Sequence, residues 1–152
     1  MNKRAYKQMC KRIEALRDRW VEPLGLGDWT VTFTYFRKGK NYRALLNLPK
    51  QQGVTSLATC QCNWQYKQAW IGVNTPEWLG LSDYCTEANL VHELCHMLLD
   101  SLAKAPDADK QAHLESTCTA LANAFIWTRK EARERGLANV SDETPQAAKE
   151  KA

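Results

Sequence analysis

Long apolar runs are missing from this chain. No stretch approaches the roughly 18 residues that a helix needs to cross a bilayer, so a membrane span is not expected. Met1-Asn2-Lys3-Arg4 leads straight into an amphipathic segment without the apolar centre of a signal peptide, which points to a soluble, cytoplasmic protein. Internal repeats are absent too, so a solenoid is excluded. The six cysteines are even in number, but nothing indicates export, and they read as reduced thiols rather than bridges. Cys60-Gln61-Cys62 has no second nearby pair to complete a ligand set, so core thiols are the better reading of it. Histidine is scarcest of all: the chain holds 3.

Two of those histidines stand four residues apart in His92-Glu93-Leu94-Cys95-His96, the HExxH pattern. On an α-helix this spacing puts both rings on one face, about a turn apart, where both can offer a nitrogen to one zinc ion. Glu93 then lies one step round, beside the metal's open position, where a carboxylate can take a proton from the attacking water and pass it to the leaving amine. A chance match is the competing reading, and the context weighs against it. Leu90, Val91, Leu94, Met97 and Leu98 give the segment a buried face, and no Gly or Pro interrupts residues 82–105. Cys85 shares the histidine face but sits two turns before His92, about 10.5 Å along the axis, too far to be a ligand.

At 152 residues the chain is the size of one domain with a sizeable core. Residues 3–22 place Tyr6, Met9, Cys10, Ile13, Leu16 and Trp20 at helical spacing, with Pro23 and Gly25 ending the helix. Residues 28–36 alternate Trp29, Val31, Phe33 and Tyr35 with threonines, the period of a half-buried strand. A weaker strand is expected over 42–48. Residues 54–64 alternate again, with Ala58, Cys60, Cys62 and Trp64 on one face, and pair as a hairpin with 69–73. Ser82 or Asp83 is placed to cap the HExxH helix. A last long helix runs from about Asp109 to Arg135, burying Leu114, Cys118, Leu121, Ala122 and Phe125, with Gly136 as its cap. Beyond it the composition is polar and aperiodic, so residues 1–136 read as one domain and 137–152 as a disordered tail.

A catalytic zinc site takes a third protein ligand and leaves a fourth position for water. The last helix offers His113 and Glu115, two residues apart and so about 200° apart on a helix, which allows only one of them to face the metal. Periodicity does not choose between them. With helix, sheet, HExxH helix and a Glu-bearing helix in that order, residues 1–130 resemble the small gluzincin-type zincin metallopeptidases, most closely the short peptidases of phages and bacteria that include the ImmA/IrrE-like group. The resemblance implies an α+β, zincin-like fold: an N-terminal helix, a small twisted, mostly antiparallel sheet of three or four strands, the active-site helix, and a C-terminal helix bearing the third ligand. It implies His92, His96 and Glu115 as zinc ligands and Glu93 as general base. A carboxylate at the third position would also partly neutralise Zn²⁺. Metzincins fit less well, since Met97-Leu98-Leu99-Asp100 follow His96 where a glycine and a third histidine would be needed. SprT-like proteases fit less well for want of a later His-Gly segment. In zincins an edge strand holds the substrate extended, which points to the hairpin of 54–73. Tyr66, Tyr84 and His113 are the candidates for stabilising the oxyanion.

The expected function is zinc-dependent hydrolysis of peptide bonds in an intracellular protein or peptide. The rival is a zinc-stabilised regulatory protein without catalysis, contacting a repressor or nucleic acid through its basic N-terminal helix. Residues 1–22 do carry the whole net charge of +4, with Lys3, Arg4, Lys7, Lys11, Arg12, Arg17 and Arg19 against Glu14, Asp18 and Glu22. A solvated helix face is the commoner meaning of such a run. The intact Glu93 favours the enzyme, because structural zinc needs no neighbouring base.

Overall fold

The structure is a computed structural model and describes residues 2–38, 57–99 and 108–135. The architecture is α+β, with four helices and a three-stranded mixed sheet among those residues. In chain order these are α1 (Lys3–Val21), β1 (Thr30–Phe36), β2 (Ala58–Asn63), β3 (Gln68–Asn74), the short α2 (Thr75–Trp78), α3 (Asp83–Leu99) and α4 (Ala108–Glu134). The strand expected over 42–48, the Gly136 cap and the tail of 137–152 lie outside the described residues.

Helix α1 begins where the Asn2 side chain accepts a hydrogen bond from the Arg4 amide at 2.9 Å, and it buries Met9, Ile13, Leu16 and Trp20. It ends in a turn that Gly25 makes possible with φ +69, a left-handed conformation that costs glycine little. Met9, Ile13, Leu16 and Trp20 follow the helical stripe read from the sequence. Complete burial of a side chain such as Ile13 contributes about 1.5–3 kcal/mol.

The sheet order is β1-β3-β2, with β3 antiparallel to β2 and parallel to β1. One face holds the rows Val31–Ala69–Cys62, Phe33–Ile71–Cys60 and Tyr35–Val73–Ala58, and these pack into the core. The expectation of a mostly antiparallel sheet is thereby corrected, since one of the two described pairings is parallel. Alternation identifies which face of a strand is buried, and a short connection identifies a hairpin. Neither carries the direction of a strand that joins from farther along the chain.

The hairpin also departs from its expected bounds. Trp64 leaves the Ala58/Cys60/Cys62 face and opens a 3₁₀ turn, Trp64–Tyr66, closed by Lys67 at φ 48. Its ring meets Trp29 edge to face at 5.0 Å. After β3, Thr75–Trp78 form α2, and the buried Trp78 donates its indole N–H to the Leu57 carbonyl at 2.8 Å. All six cysteines are free thiols, with Cys60 and Cys62 half-buried and their sulfurs 3.5 Å apart.

Helix α3 is capped by Ser82, whose hydroxyl oxygen accepts from the Cys85 amide at 3.2 Å. Leu90, Val91, Leu94, Cys95 and Met97 of α3 are fully buried. Helix α1 braces it from behind: the Trp20 indole N–H donates to Glu87 at 2.7 Å, and Arg12 pairs with Asp83 at 2.5 Å. Helix α4 is tied to the same brace through Arg129, which donates to the Arg19 carbonyl at 3.1 Å and lies over the Trp20 ring. It buries Cys118, Ala122 and Ile126, with Leu114, Leu121 and Phe125 only partly covered. Ile126 was not among the residues expected inside. No helix among the described residues is long and apolar enough to cross a membrane.

Candidate metal centre

Helices α3 and α4 run antiparallel, and their facing sides meet in matched pairs: His96 with Cys118, His92 with Thr119, and Tyr84 with Asn123. This packing carries Glu115 to the two histidines of the HExxH turn. His92 Nε2 and His96 Nε2 are 3.1 Å apart, and Glu115 Oε2 lies 3.1 Å from the first and 3.5 Å from the second. His113, also exposed, has no part in the group: the ligand atoms brought together belong to His92, His96 and Glu115.

That triangle fits a metal ion. A tetrahedral zinc with bonds of about 2.0–2.1 Å holds its donors about 3.3–3.4 Å apart, close to the three edges observed. The donor chemistry agrees, because two imidazoles and a carboxylate suit a borderline divalent cation. The group can therefore hold a metal ion. The imidazole orientation is prepared from behind. Thr119 donates its hydroxyl proton to the Glu115 carbonyl at 2.9 Å, so its oxygen is left to accept from His92 Nδ1–H at 3.2 Å. When the ring is neutral, as a metal ligand must be, this contact keeps the proton on Nδ1 and turns the Nε2 lone pair of His92 into the triangle. Cys118 Sγ stands 3.5 Å from His96 Nδ1, and burial pushes its thiol up to about 12, so it stays protonated.

Glu115 is itself held well below the usual carboxylate range by hydrogen bonding to His92 and then to His96, with the charges of both rings adding to the effect. Glu93 behaves oppositely. It is 7% exposed, and burial pushes its carboxyl up to about 7, an effect that His92 opposes and the negative Glu115 reinforces. A cation at the donor triangle acts against that rise by favouring the carboxylate.

Beside the triangle opens a cleft of about 330 Å³, lined by His92, Glu93 and Glu115 together with Ala58 and Leu57 at the start of β2. The other walls come from α3 and α4. Tyr66, Tyr84 and His113, the three candidates for the oxyanion, are all absent from its lining. Tyr84 is 58% exposed and donates to Asn123 at 3.3 Å, while Tyr66 sits exposed in the 3₁₀ turn. Sequence reading missed Thr119, although it follows Glu115 by four residues and so shares its helix face. Asn89 and Asn123 were missed as well, and their spacings of three before His92 and eight after Glu115 were the signal available.

Thr119→Val is expected to weaken metal binding about 10–100-fold, the usual effect of removing a partner that orients a metal-bound histidine. Competition with a chelating indicator on the purified variant checks this. An unchanged dissociation constant would show that the His92 ring needs no such support.

Compared with known families, curated proteins and solved structures, the chain matches none. The functional reading of the site accordingly rests on its residues and their geometry.

Proposed function

We propose that this protein is a zinc-dependent peptidase of gluzincin type, hydrolysing peptide bonds in a protein or peptide substrate. The observation that carries the reading is the His92/His96/Glu115 triangle at tetrahedral donor spacing, with the buried Glu93 carboxylate beside it in a cleft. When bound, zinc supplies Lewis-acid polarisation of a carbonyl and makes water acidic enough to ionise near neutral pH. The chain's own residues do the rest. His92 and His96, on one face of α3, and Glu115, from α4, hold the ion. Glu93 takes the proton of the attacking water and returns it to the departing amine. Leu57 and Ala58 bring the start of β2 to the cleft, and β2 is an edge strand among the described residues, suited to aligning an extended substrate.

Two features favour this over a zinc-stabilised regulatory protein that contacts nucleic acid. The donor group has three members among the described residues, where a structural zinc site normally has four. Three basic residues of α1 already have acidic partners on the protein: Arg12 pairs with Asp83, Arg17 with Asp18 and Arg19 with Glu87. The test is metal analysis of the purified protein alongside digestion of unfolded casein. One zinc per chain is expected, with cleavage lost on chelation and restored by added zinc. A protein that binds no zinc, or that cleaves equally well after complete chelation, overturns the proposal.

A further inference from the structure

The cleft does not stop at the metal centre. Four residues before Glu93 on α3, and four after Thr119 on α4, stand Asn89 and Asn123, and both line it. Asn89 is about one helical turn from His92 and Glu93, and Asn123 is one turn from Thr119, the partner of His92, and two turns from Glu115. Both therefore stand about 5–6 Å along the helix axes from the His92 end of the metal site, within one or two residues of an extended peptide. The antiparallel pairing that sets His92 against Thr119 places these two amides on opposite walls. Their hydrogen bonds differ in sense. Asn89 Nδ2 donates to the Cys85 carbonyl at 2.7 Å, so its Oδ1 is left to accept. Asn123 Oδ1 accepts from the Tyr84 hydroxyl at 3.3 Å, so its Nδ2 is left to donate. One wall therefore offers an acceptor and the other a donor.

Resting on the peptidase reading above, we infer that Asn89 and Asn123 form an amide-binding subsite next to the metal centre, which takes an uncharged carboxamide of the substrate. Its N–H donates to Asn89 Oδ1, and its carbonyl accepts from Asn123 Nδ2. Among the described residues that line this end of the cleft, none is ionisable and able to pair with a charged substrate group, the other neighbours being Ala88, Thr119 and Ala122. A free carboxylate or ammonium would lose hydration there without a counter-charge. The amide has two possible sources with the same chemistry: the substrate main chain beside the scissile bond, or a Gln or Asn side chain.

Hydroxamates test this by binding rather than turnover, because the hydroxamate group anchors on zinc and the remainder of the molecule extends along the cleft. Four are titrated calorimetrically into the zinc-loaded protein: acetohydroxamate, hexanohydroxamate, the monohydroxamate of succinic acid N-methylamide, and the monohydroxamate of glutaric acid amide. At least one amide probe is expected to bind about fivefold or more tighter than hexanohydroxamate, as one net hydrogen bond of roughly 1 kcal/mol requires. The secondary amide binding tighter identifies the main chain as the ligand, and the primary amide binding tighter identifies a side chain. Asn123→Asp, which turns the donor into an acceptor on an exposed helix position, and Asn89→Ala are each expected to abolish the preference. Zinc content and acetohydroxamate affinity should stay unchanged in both. Retained acetohydroxamate binding with no amide preference in the wild type, or a preference that survives both substitutions, overturns the subsite alone. Failure of the zinc-loaded wild type to bind acetohydroxamate overturns the metal reading, and the subsite with it.

Discussion

Glu93→Gln is expected to keep its zinc and its fold while peptide hydrolysis falls by about 10²–10⁴-fold, the range a positioned general base contributes. The side chain follows His92 directly on α3, is 7% exposed and lines the cleft, so it lies where the proposed mechanism moves a proton, though it is not one of the three converging donors. Glutamine keeps its shape and cannot accept that proton. Burial also pushes the Glu93 carboxyl up to about 7, so a neutral amide in its place removes a desolvation cost, and no loss of melting temperature is expected. The measurement is kcat on a substrate that the wild type verifiably cleaves, with metal content determined on the same samples. Comparable turnover by the two proteins would remove Glu93 from the mechanism.

Glu115→Ala should cost the protein most of its zinc affinity, more than the roughly 10–100-fold that attends loss of an outer partner, whereas His113→Ala should leave it intact. Glu115 Oε2 is within 3.5 Å of both imidazole nitrogens, and its lowered pKa keeps the carboxylate anionic near neutral pH. Removing it leaves two neutral rings facing one cation. His113, exposed on the same helix, is not among the three converging donors. Indicator competition on both variants decides the matter. The reverse order would replace the gluzincin ligand set with three histidines.

The two predictions draw on different degrees of legibility. His92, Glu93 and His96 can be read from spacing alone, because a helix fixes the relation of residues one and four apart and the apolar residues around them show that the helix is real. Glu115 cannot be read that way. His113 and Glu115 flank the same buried stripe, and only the packing of α4 on α3 decides which of them meets the histidines. Ala58, Cys60 and Cys62 keep their expected face because they stay in the strand, while Trp64 loses it because the strand ends at Asn63 and Trp64 opens the 3₁₀ turn that Lys67 closes before β3 begins. The parallel pairing of β1 with β3 is a long-range choice that no local alternation records. Thr119, Asn89 and Asn123 are ordinary polar residues in one dimension, and they acquire meaning only when two helices face each other.

His92 and His96 come from α3 and Glu115 from α4, so a bound ion would be a cross-link between two helices whose chain connection runs through residues 100–107. Only the docked helix pair presents all three donors together. Metal binding and helix docking are then a single linked equilibrium. Each tenfold rise in free metal above the dissociation constant adds about 1.4 kcal/mol to the folded state, provided the unfolded chain binds the metal negligibly. The folded population of such a protein would follow the free zinc around it.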